Sequence, residues 1–302
     1  VAPNDVVAPN DAVAPNDLVM SSGLVVPGVL VYPADMLRFV HLTDTHLGNS
    51  PHFSLYGRQP LAWLQRLVQQ VIELDCKIDF IVHSGDVTDD GSTQAYELAR
   101  EALAPLRRRW PIYYAVGNHD HVERLQTMLV GAERALPRLD DAIDLGSHRL
   151  LVLDTRGPVD PGGQFVASQA AWMREQAALD DRPLLIVMHH APVPLDTAWL
   201  DESPAAKGGE FMYLEGAELF RETIASFRQR VRGVFFGHVH GGFSVMRDGV
   251  LYVAGRSGFG PLATLPEVRN VLPEPLEPPG FNLVTVTAEQ TLVRTRTVRL
   301  PV

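Results

Sequence analysis

Histidine and carboxylate residues recur in five short motifs of this 302-residue chain, and their types indicate metal chemistry. In chain order the motifs are DTH (44–46), GD (85–86), GNHD (117–120), MHH (188–190) and GHVH (237–240). Carboxylate, imidazole and amide oxygen together suit divalent metals such as Fe, Mn, Co or Zn. The chain has one cysteine, so clustered thiolates of a zinc site are excluded. Two metal ions roughly 3.5–4 Å apart would need a bridging ligand, for which a carboxylate is suited.

Each motif alone is weak evidence, because Asp, Asn and Gly are also common in ordinary turns. All five, however, lie at the end of an apolar run of strand length, with at most two residues in between, and these runs are Leu37–Leu42, Ile78–Val82, Ile112–Val116, Leu184–Met188 and Val231–Phe236. In α/β sheets, ligands bind in the crevice beyond the carboxyl ends of the strands. The five sets of ligand-type residues are therefore predicted to meet at one site.

The elements that must position these motifs alternate along the chain. Two further strands are predicted at Leu150–Leu153 and Val250–Ala254, and helical periodicity covers Leu61–Leu74, Thr93–Leu106, Gln169–Leu179 and Leu214–Phe227. Ser92 and Ser168 are expected to be helix N-caps. Residues 261–280 are rich in proline and read as irregular chain, after which Asn282–Val286 and Leu292–Leu300 predict a hairpin. This alternation predicts an α/β body with helices outside buried sheet.

The order of the five motifs closely resembles that of the calcineurin-like metallophosphoesterases over about residues 37–260. More narrowly, it resembles their cyclic-nucleotide and glycerophosphodiester phosphodiesterase (class III) branch. The resemblance implies a four-layer αββα sandwich with a dinuclear metal site, followed by the C-terminal β-hairpin. We therefore expect an N-terminal tail at 1–36, a metallophosphoesterase domain at 37–260, and a Pro-rich segment with the hairpin at 261–302.

Functional roles follow from the resemblance, motif by motif. It implies that one metal is held by Asp44, His46 and His240, and that the other is held by Asn118, His189 and His238. Asp86 would bridge the metals, and His119 would be the non-ligand histidine that meets the substrate. The substrate phosphate would lie against His46, Asp86, Asn118, His119 and His240. One departure is Ala191, where the family usually has proline, and we expect it to affect loop stiffness more than chemistry.

Other histidines lie near the motifs. His190 is expected either to orient the ligands or to face the substrate, because metal ligands need orienting partners. Structural or supporting roles are expected for His41, His83 and His121.

The implied reaction is attack on phosphorus by a hydroxide that bridges the metals, since the cations lower the pKa of water. The metals and Asn118 would neutralise charge on the phosphoryl oxygens, and His119 would protonate the leaving alkoxide or hydrogen-bond the phosphoryl group. The predicted function is a metal-dependent phosphodiesterase acting on cyclic nucleotides or glycerophosphodiester-like small substrates. A phosphomonoesterase or nucleotidase with the same metals is the alternative. A non-catalytic binding module is a further alternative, against which the complete ligand set argues.

Residues 191–216 form a long segment without clear periodicity and contain Trp199, Phe211, Met212 and Tyr213. Long irregular loops are often binding loops or lids. The aromatic side chains could therefore cover a substrate, or they could pack the loop onto the body.

Charge and composition limit the partners. The chain has 36 acidic and 26 basic residues, and this balance of −10 disfavours a nuclease or another protein that grips long nucleic acid. No apolar run approaches the roughly 20 residues that cross a bilayer, and neither a secretory signal nor a disulfide is expected, which favours the cytoplasm. A homodimer through the C-terminal hairpin is possible.

The first 17 residues repeat VAPND three times, and each copy contains proline, which disfavours a continuous helix. We expect an extended tail, or alternatively a strap across the body or a partner. Deletion of residues 1–35 is expected to leave catalysis intact, since the tail has no cluster of ligand-type residues.

Overall fold

Strands and helices alternate along the part of the chain that the computed structural model describes, residues 35–201 and 212–298. In chain order the strands are β1 (Leu37–Leu42), β2 (Phe80–His83), β3 (Ile112–Tyr114), β4 (Asp141–Asp144), β5 (Arg149–Val152), β6 (Gly163–Gln164), β7 (Leu184–Val187), β8 (Leu214–Glu215), β9 (Val231–Phe236), β10 (Ser244–Arg247), β11 (Val250–Ala254), β12 (Gly280–Val286) and β13 (Thr291–Thr297). The α-helices are α1 (Pro60–Ile72), α2 (Thr93–Arg107), α3 (Val122–Arg124), α4 (Ala167–Ala178), α5 (Ala198–Asp201) and α6 (Ala217–Ala225). A π-helical segment, Leu125–Val130, continues α3, and a 3-10 turn, Arg228–Arg230, precedes β9.

The strands form two main sheets. The first has the order β13-β12-β1-β2-β3, in which β1, β2 and β3 are parallel and β12 is antiparallel to β1. The second has the order β10-β11-β9-β7-β5-β4, with β5, β7, β9 and β11 parallel. Strands β6 and β8 pair separately. The predicted C-terminal hairpin is confirmed, and its strand β12 extends the first sheet beside β1.

Three apolar clusters show the layering. Between the sheets, Phe39 of β1 stacks on Phe80 of β2 at 4.8 Å between ring centroids and meets Phe235 of β9 edge-on at 5.1 Å. The outer face of the first sheet packs against α1 and α2, and the outer face of the second packs against α4 and α6. The predicted four-layer αββα sandwich is therefore confirmed.

Local sequence explains how the helices on the first sheet begin and what they bury. Helix α1 starts with Pro60. Proline is tolerated there because the N–H groups of the first turn have no partner within the helix. The Ser92 side chain accepts a hydrogen bond from the N–H of Ala95 at 3.2 Å, so its predicted role as N-cap of α2 is confirmed. Helical spacing places one apolar face of each helix on the sheet, through Leu64, Leu67, Val68 and Val71 of α1 and Tyr96, Ala99, Leu103 and Leu106 of α2.

Two predictions about helix starts are wrong. Helix α4 is preceded by Val166 rather than Ser168, because the Gln169 side chain accepts the Val166 N–H at 3.2 Å and caps the helix from within. Helix α6 starts at Ala217 and not at Leu214, because Gly216 adopts a left-handed conformation with φ of 80°. Leu214 and Glu215 instead form β8.

The predicted N-terminal tail, including the VAPND repeats, lies outside the described residues. Residues 261–279 contain neither a helix nor a named strand, as the sequence predicts. None of the described helices combines the length and the apolar character that a membrane span requires.

Candidate metal centre

The predicted site residues meet at the carboxyl ends of β1, β2, β3, β7 and β9. The chain leaves these strands in unusual backbone conformations, because five non-glycine residues there have φ between 44° and 70°: Asp44, His46, Asp86, His238 and His240. Left-handed backbone at such residues costs on the order of 1–3 kcal/mol each and persists where the surroundings demand it, typically at functional sites. The backbone strain is thus concentrated at residues whose side chains the sequence predicts to be metal ligands.

Two motif glycines allow the strand ends to approach each other. Gly117 of the GNHD motif passes so close to the preceding motif that a Cβ on it would lie 2.1 Å from Asp86 Oδ1. Gly85 has φ of 103°, and a Cβ there would lie 2.5 Å from His189 Nδ1. Any larger residue at either position would push apart the groups that form the site.

Asp44, His46 and His240 form one group, which we call the first cluster. His240 Nε2 lies 3.1 Å from His46 Nε2 and 3.7 Å from Asp44 Oδ1. Behind them, His46 Nδ1 donates to Asp89 Oδ1 at 3.1 Å and His240 Nδ1 donates to the Gly260 carbonyl at 3.0 Å. Since the Nδ1 atoms carry the hydrogens, the Nε2 lone pairs of the neutral rings face each other.

Asn118, His189 and His238 form the second cluster. His189 Nδ1 donates to the Ser84 carbonyl at 2.8 Å, so the lone pair of the neutral ring is on Nε2. That atom lies 3.1 Å from Asn118 Oδ1 and 3.2 Å from His238 Nδ1. In addition, His238 Nε2 is buried and has no hydrogen-bond partner in the described part of the chain.

Asp86 lies between the two clusters. Its Oδ2 is 3.2 Å from His189 Nε2 and 3.5 Å from His46 Nε2, and its Oδ1 accepts the backbone N–H of His119 at 2.9 Å. The carboxylate is thus directed at ligand atoms on both sides.

The electrostatics of the metal-free site show its demand for positive charge. Burial alone would lower the pKa of His189, but the adjacent Asp86 carboxylate outweighs it and raises this pKa to about 9. Burial likewise disfavours the charged form of Asp86, yet His189 holds its pKa well below the usual range. In contrast, burial lowers the pKa of His240 to about 4. Protons are drawn to the imidazoles nearest the Asp86 carboxylate, where cations would be stabilised for the same reason.

Comparison with known proteins identifies the family. Residues 37–242 match the family model described as calcineurin-like phosphoesterase. The chain is a calcineurin-like phosphoesterase. It is 28% identical to 3',5'-cyclic adenosine monophosphate phosphodiesterase CpdA of Vibrio vulnificus (strain CMCP6), over 72% of this chain and 75% of the relative. It is 30% identical to glycerophosphodiester phosphodiesterase GpdQ of Enterobacter lignolyticus (strain SCF1), over 67% of this chain and 70% of the relative.

The fold is shared with a more distant solved structure, that of purple acid phosphatase PPD1 from yellow lupin (Lupinus luteus). That protein superposes with a TM-score of 0.58 at 18% identity, over 87% of this chain and 52% of the phosphatase.

A calcineurin-like phosphoesterase has a dinuclear centre of divalent metal ions, and the residues of this one fit such a centre. Ligand atoms lie within 4.8 Å of one another in four groups: Asp44–His46–His240, Asp44–Asp86–His189, His46–Asp86–His119 and His189–His190–His238. Carboxylate oxygens and imidazole nitrogens are donors that borderline divalent metals prefer. Lone pairs of the neutral rings face another acceptor atom in both clusters, His240 Nε2 against His46 Nε2 and Asn118 Oδ1 against His189 Nε2. Such pairs are stable only when a proton or a metal ion lies between them.

His119 differs from the other predicted site residues by its exposure. Its side chain is 38% exposed, and its ring meets the His46 ring edge-on at 4.8 Å. Nδ1 donates to the Asp89 carbonyl at 2.8 Å, so Nε2 is the nitrogen that remains for another partner. His119 therefore lies on the exposed rim of the site, and its expected contact with the substrate stays a prediction.

His190, adjacent to His189, supports the site and does not face its opening. It is fully buried, its Nε2 donates to the Pro161 carbonyl at 3.0 Å, and its Nδ1 pairs with the Thr155 hydroxyl at 2.9 Å. Burial lowers its pKa to about 3, so the ring is neutral at physiological pH.

The histidines on β1 and β2 are also supporting groups. His41 Nε2 pairs with the Ser84 hydroxyl at 2.8 Å, and His83 Nε2 pairs with the Thr45 hydroxyl at 3.1 Å. Burial lowers the pKa of each to about 3. His121 precedes α3, and its Nδ1 accepts the N–H of Arg124 at 3.4 Å.

Several residues that hold the ligands in place were not singled out from sequence. Asp89 orients His46, and Phe259 packs edge-on against the rings of His46 and His240 at 5.3 and 5.6 Å. Asp160 accepts the side-chain N–H of Asn118 at 2.9 Å. The position of Asp89, three residues after Asp86, is the one signal here that a motif search could have used.

Asp120, the last residue of the GNHD motif, joins two of the ligand loops. Its carboxylate accepts the backbone N–H groups of Val87, Thr88 and Gly117 at 3.1–3.2 Å and the hydroxyl of Tyr96 at 3.0 Å. It therefore fixes the GD loop against the GNHD loop rather than binding metal.

The described part of the 191–216 segment packs onto the body. Trp199 is 5% exposed and its Nε1 donates to the Ala263 carbonyl at 2.9 Å. The Tyr213 hydroxyl donates to Asp201 and accepts the N–H of Leu195. For these two aromatic residues the packing interpretation holds, whereas Phe211 lies outside the described residues.

Proposed function

We propose that this phosphoesterase hydrolyses small phosphodiesters, cyclic nucleotides or glycerophosphodiesters, at a centre that takes two ions of Fe, Mn, Co or Zn. The observation that carries the proposal is the pair of clusters on either side of Asp86. In each of them an imidazole Nε2 lies 3.1 Å from a second ligand-type atom, His240 Nε2 facing His46 Nε2 in the first and Asn118 Oδ1 facing His189 Nε2 in the second. The two relatives described above support the substrate class, since one is named for cyclic adenosine monophosphate and the other for glycerophosphodiesters.

In this proposal the first cluster holds one metal ion, the second cluster holds the other, and Asp86 contacts both. The bound metals would activate water at neutral pH and neutralise charge on the phosphoryl oxygens. The protein supplies the geometry for this chemistry: buried ligands whose outer nitrogens are fixed by Asp89, Gly260 and Ser84.

His119 is proposed as the general acid for the departing alkoxide. Its Nδ1 is committed to the Asp89 carbonyl, so the proton would be delivered from Nε2. Its backbone N–H meanwhile holds Asp86 Oδ1, which ties the position of the acid to that of the bridging carboxylate. Asn118 would present Oδ1 to the second metal ion, and the substrate phosphate would lie against both residues and against His46, Asp86 and His240.

A comparison of ester substrates tests the proposal. The protein is loaded in parallel with Mn, Co, Zn or Fe and assayed on 3',5'-cyclic AMP, a glycerophosphodiester, bis(p-nitrophenyl) phosphate and p-nitrophenyl phosphate. We expect metal-dependent hydrolysis of at least one natural diester, with kcat/KM on diesters above that on the monoester. A preference for p-nitrophenyl phosphate over every diester would show a phosphomonoesterase and contradict the proposal.

Two aspartate variants provide the matched control. Asp86→Asn keeps the shape of the side chain but removes the negative charge proposed to bridge the metal ions. Loss of a group that merely orients a metal ligand typically costs roughly 10–100-fold, and we expect kcat/KM of Asp86→Asn to fall by more than that. Asp181→Asn changes an exposed aspartate in the turn before β7 and should leave kcat/KM as it is. Equal activity of the two variants would mean that Asp86 has no part in the reaction.

A further inference from the structure

The loop at 156–163 reaches the candidate metal centre from the second sheet, and hydrogen bonds between its own backbone groups close it. Gly157 N–H donates to the Gly162 carbonyl and Gly162 N–H donates to the Val159 carbonyl, each at 2.9 Å. Arg156 at its base is paired with the buried Asp154 through Nη2 at 2.6 Å. These bonds hold the shape of the loop independently of any substrate.

The tip of the loop is fastened to two of the ligand motifs. The Pro161 carbonyl accepts His190 Nε2 at 3.0 Å, and Gly163 lies so close to His190 that a Cβ there would be 2.3 Å from the ring. Asp160 Oδ1 accepts Asn118 Nδ2 at 2.9 Å. Since a carboxylate only accepts hydrogen bonds, this contact fixes the amide of Asn118 with Nδ2 toward the loop and Oδ1 toward His189.

Asp160 places an exposed charge beside the ligands. Asp44 and Asp86 are buried and face imidazoles, and Asp89 pairs with His46. Asp160 is exposed, and within the described residues it contacts the uncharged amide of Asn118 and forms no ion pair. An aspartate is negatively charged at neutral pH. A fixed negative charge therefore lies one amide group away from the Asn118 oxygen that faces the second cluster.

This charge acts differently on the two classes of phosphate ester. A phosphomonoester has a second pKa near 6 and carries nearly two negative charges at pH 8, whereas a diester carries one. Because Asp160 is exposed, solvent screens its charge. For two unit charges about 8 Å apart at an effective dielectric constant of about 40–80, the repulsion changes binding about 2- to 6-fold. Bound metal ions would attract both esters, so the charges of the protein beside the site would contribute to the difference between them.

We propose that Asp160 is a specificity residue that disfavours dianionic phosphomonoesters relative to monoanionic phosphodiesters. The proposal rests on the function proposed above, because it requires the substrate phosphate to lie beside Asn118. It predicts that the preference for diesters comes partly from the 156–163 loop, and not only from the metals and their ligands.

The test uses two substrates that share one leaving group and differ by one charge, p-nitrophenyl phosphate and methyl p-nitrophenyl phosphate, at pH 8 with the Mn-loaded protein. For Asp160→Asn and Asp160→Ser, which both remove the charge and keep a polar side chain, the ratio of monoester to diester kcat/KM should rise about 2- to 6-fold. Asp181→Asn, which removes a distant exposed charge, should leave the ratio unchanged.

Competitive inhibition gives a second measurement, which would not change if Asp160 had only a structural role. Inorganic phosphate, a dianion at pH 8, should inhibit the two Asp160 variants at lower concentration than it inhibits the wild type, while the inhibition constant of monoanionic dimethyl phosphate changes less. An unchanged substrate ratio would overturn the proposal, and so would an unchanged inhibition constant for phosphate.

The two proposals fail in different ways. If the wild-type protein hydrolyses no diester, the proposed function fails whatever the Asp160 variants do. If the wild type prefers diesters and the Asp160 variants keep the same preference, the specificity role of Asp160 fails and the proposed function stands.

Discussion

The two clusters of the metal centre are built from similar residues but differ in how completely burial and hydrogen bonds fix their side chains. In the first cluster all three side chains are buried, both outer ring nitrogens are bonded, and the Phe259 ring packs against both histidines. In the second cluster His189 is equally well fixed through the Ser84 carbonyl. Asn118, however, is partly exposed and depends on the exposed Asp160, and His238 Nε2 is buried without a partner in the described chain.

The difference shows which ligands the protein fixes before a metal ion binds. The first cluster is fixed by the body of the sandwich and by the loop after β11, so a metal ion there meets ligands already in place. The second cluster is completed by the GNHD loop and by the 156–163 loop. We therefore expect the first cluster to bind its metal ion more tightly, and the second ion to be the one that is exchanged first.

Removal of both metal ions should have the largest effect. Exhaustive chelation, confirmed by elemental analysis, should abolish hydrolysis and lower the melting temperature, because the folded state loses its bound ligands. A ligand present at 100 times its dissociation constant stabilises the folded state by about 2.7 kcal/mol per site. Full activity of a protein shown to be metal-free would contradict the account of both clusters.

The next largest effect should come from His119, which the proposed function assigns to neither cluster. His119→Ala should slow natural alkyl diesters by about 10²–10⁴-fold, since an alkoxide needs a proton to depart. Bis(p-nitrophenyl) phosphate should be slowed much less, because nitrophenolate leaves readily. Metal content should not change, and the exposed His52→Ala is the control. Equal losses on both substrates would indicate a role in phosphate binding, and loss of a metal ion would make His119 a ligand.

A smaller effect is expected when the carboxylates that hold the ligands, Asp89 and Asp160, are removed one at a time, because each supports a different cluster. Asp89→Ala releases His46 and should weaken the first metal position, whereas Asp160→Ala releases Asn118 and should weaken the second. Groups that orient metal ligands typically contribute 10–100-fold in metal affinity. Metal titrations of both variants check this, with Asp89→Asn as the change that keeps an acceptor for His46. If each variant weakened both positions equally, the clusters could not be regarded as separately held.

The smallest effect concerns the pH dependence of the metal-free protein. Burial opposes protonation of His189, but Asp86 raises its pKa to about 9, above the usual 6.5. This pairing stabilises the metal-free fold fully below pH 6.5, and its contribution is lost as the pH rises through 9. Burial lowers the pKa of His240 to about 4, so its pH dependence runs the other way: the metal-free fold loses stability as the pH falls from 6.5 through 4, and His240 contributes no change above pH 6.5.

Melting curves of the metal-free protein from pH 6.5 to 9.5 test this contrast. The wild type should lose stability across that range, by about 1.4 kcal/mol for each unit of pKa shift that is realised. His189→Asn should flatten the curve, whereas His240→Asn should not. A flat curve for the wild type would show that Asp86 and His189 are not coupled.

The α/β class and the convergence of the motifs could be predicted because both depend on local patterns, whereas the four-layer αββα arrangement was implied by the resemblance to a family. Parallel strands that end in ligand-type residues must present them at one edge, and Asp44, Asp86, His189 and His238 meet there accordingly. Their assignment to particular metal ions stays a prediction. The strands with the weakest apolar patterns were not predicted: β4 is an edge strand that reads DAID, and β10 is an exposed edge strand that reads SVMR.

The supporting contacts could not be predicted, because they join residues far apart in the chain. Asp160 holds Asn118 across 42 positions, and the Ser84 carbonyl holds His189 across 105. Backbone carbonyls such as that of Gly260 leave no mark in the sequence at all. The helix start at Ala167, with Val166 as the N-cap residue, was missed for a related reason, since a side chain within the helix, Gln169, replaced the expected serine cap.

The central claim is that two separate clusters each hold one metal ion, with Asp86 between them. The most direct test is an Mn²⁺ titration of the chelated wild type and of Asn118→Ala, with the bound ions counted by elemental analysis. The account predicts two ions per wild-type chain, and one ion per Asn118→Ala chain bound with nearly the affinity of the tighter wild-type position. A wild-type chain that binds a single ion, or an Asn118→Ala chain that loses both ions, would contradict it.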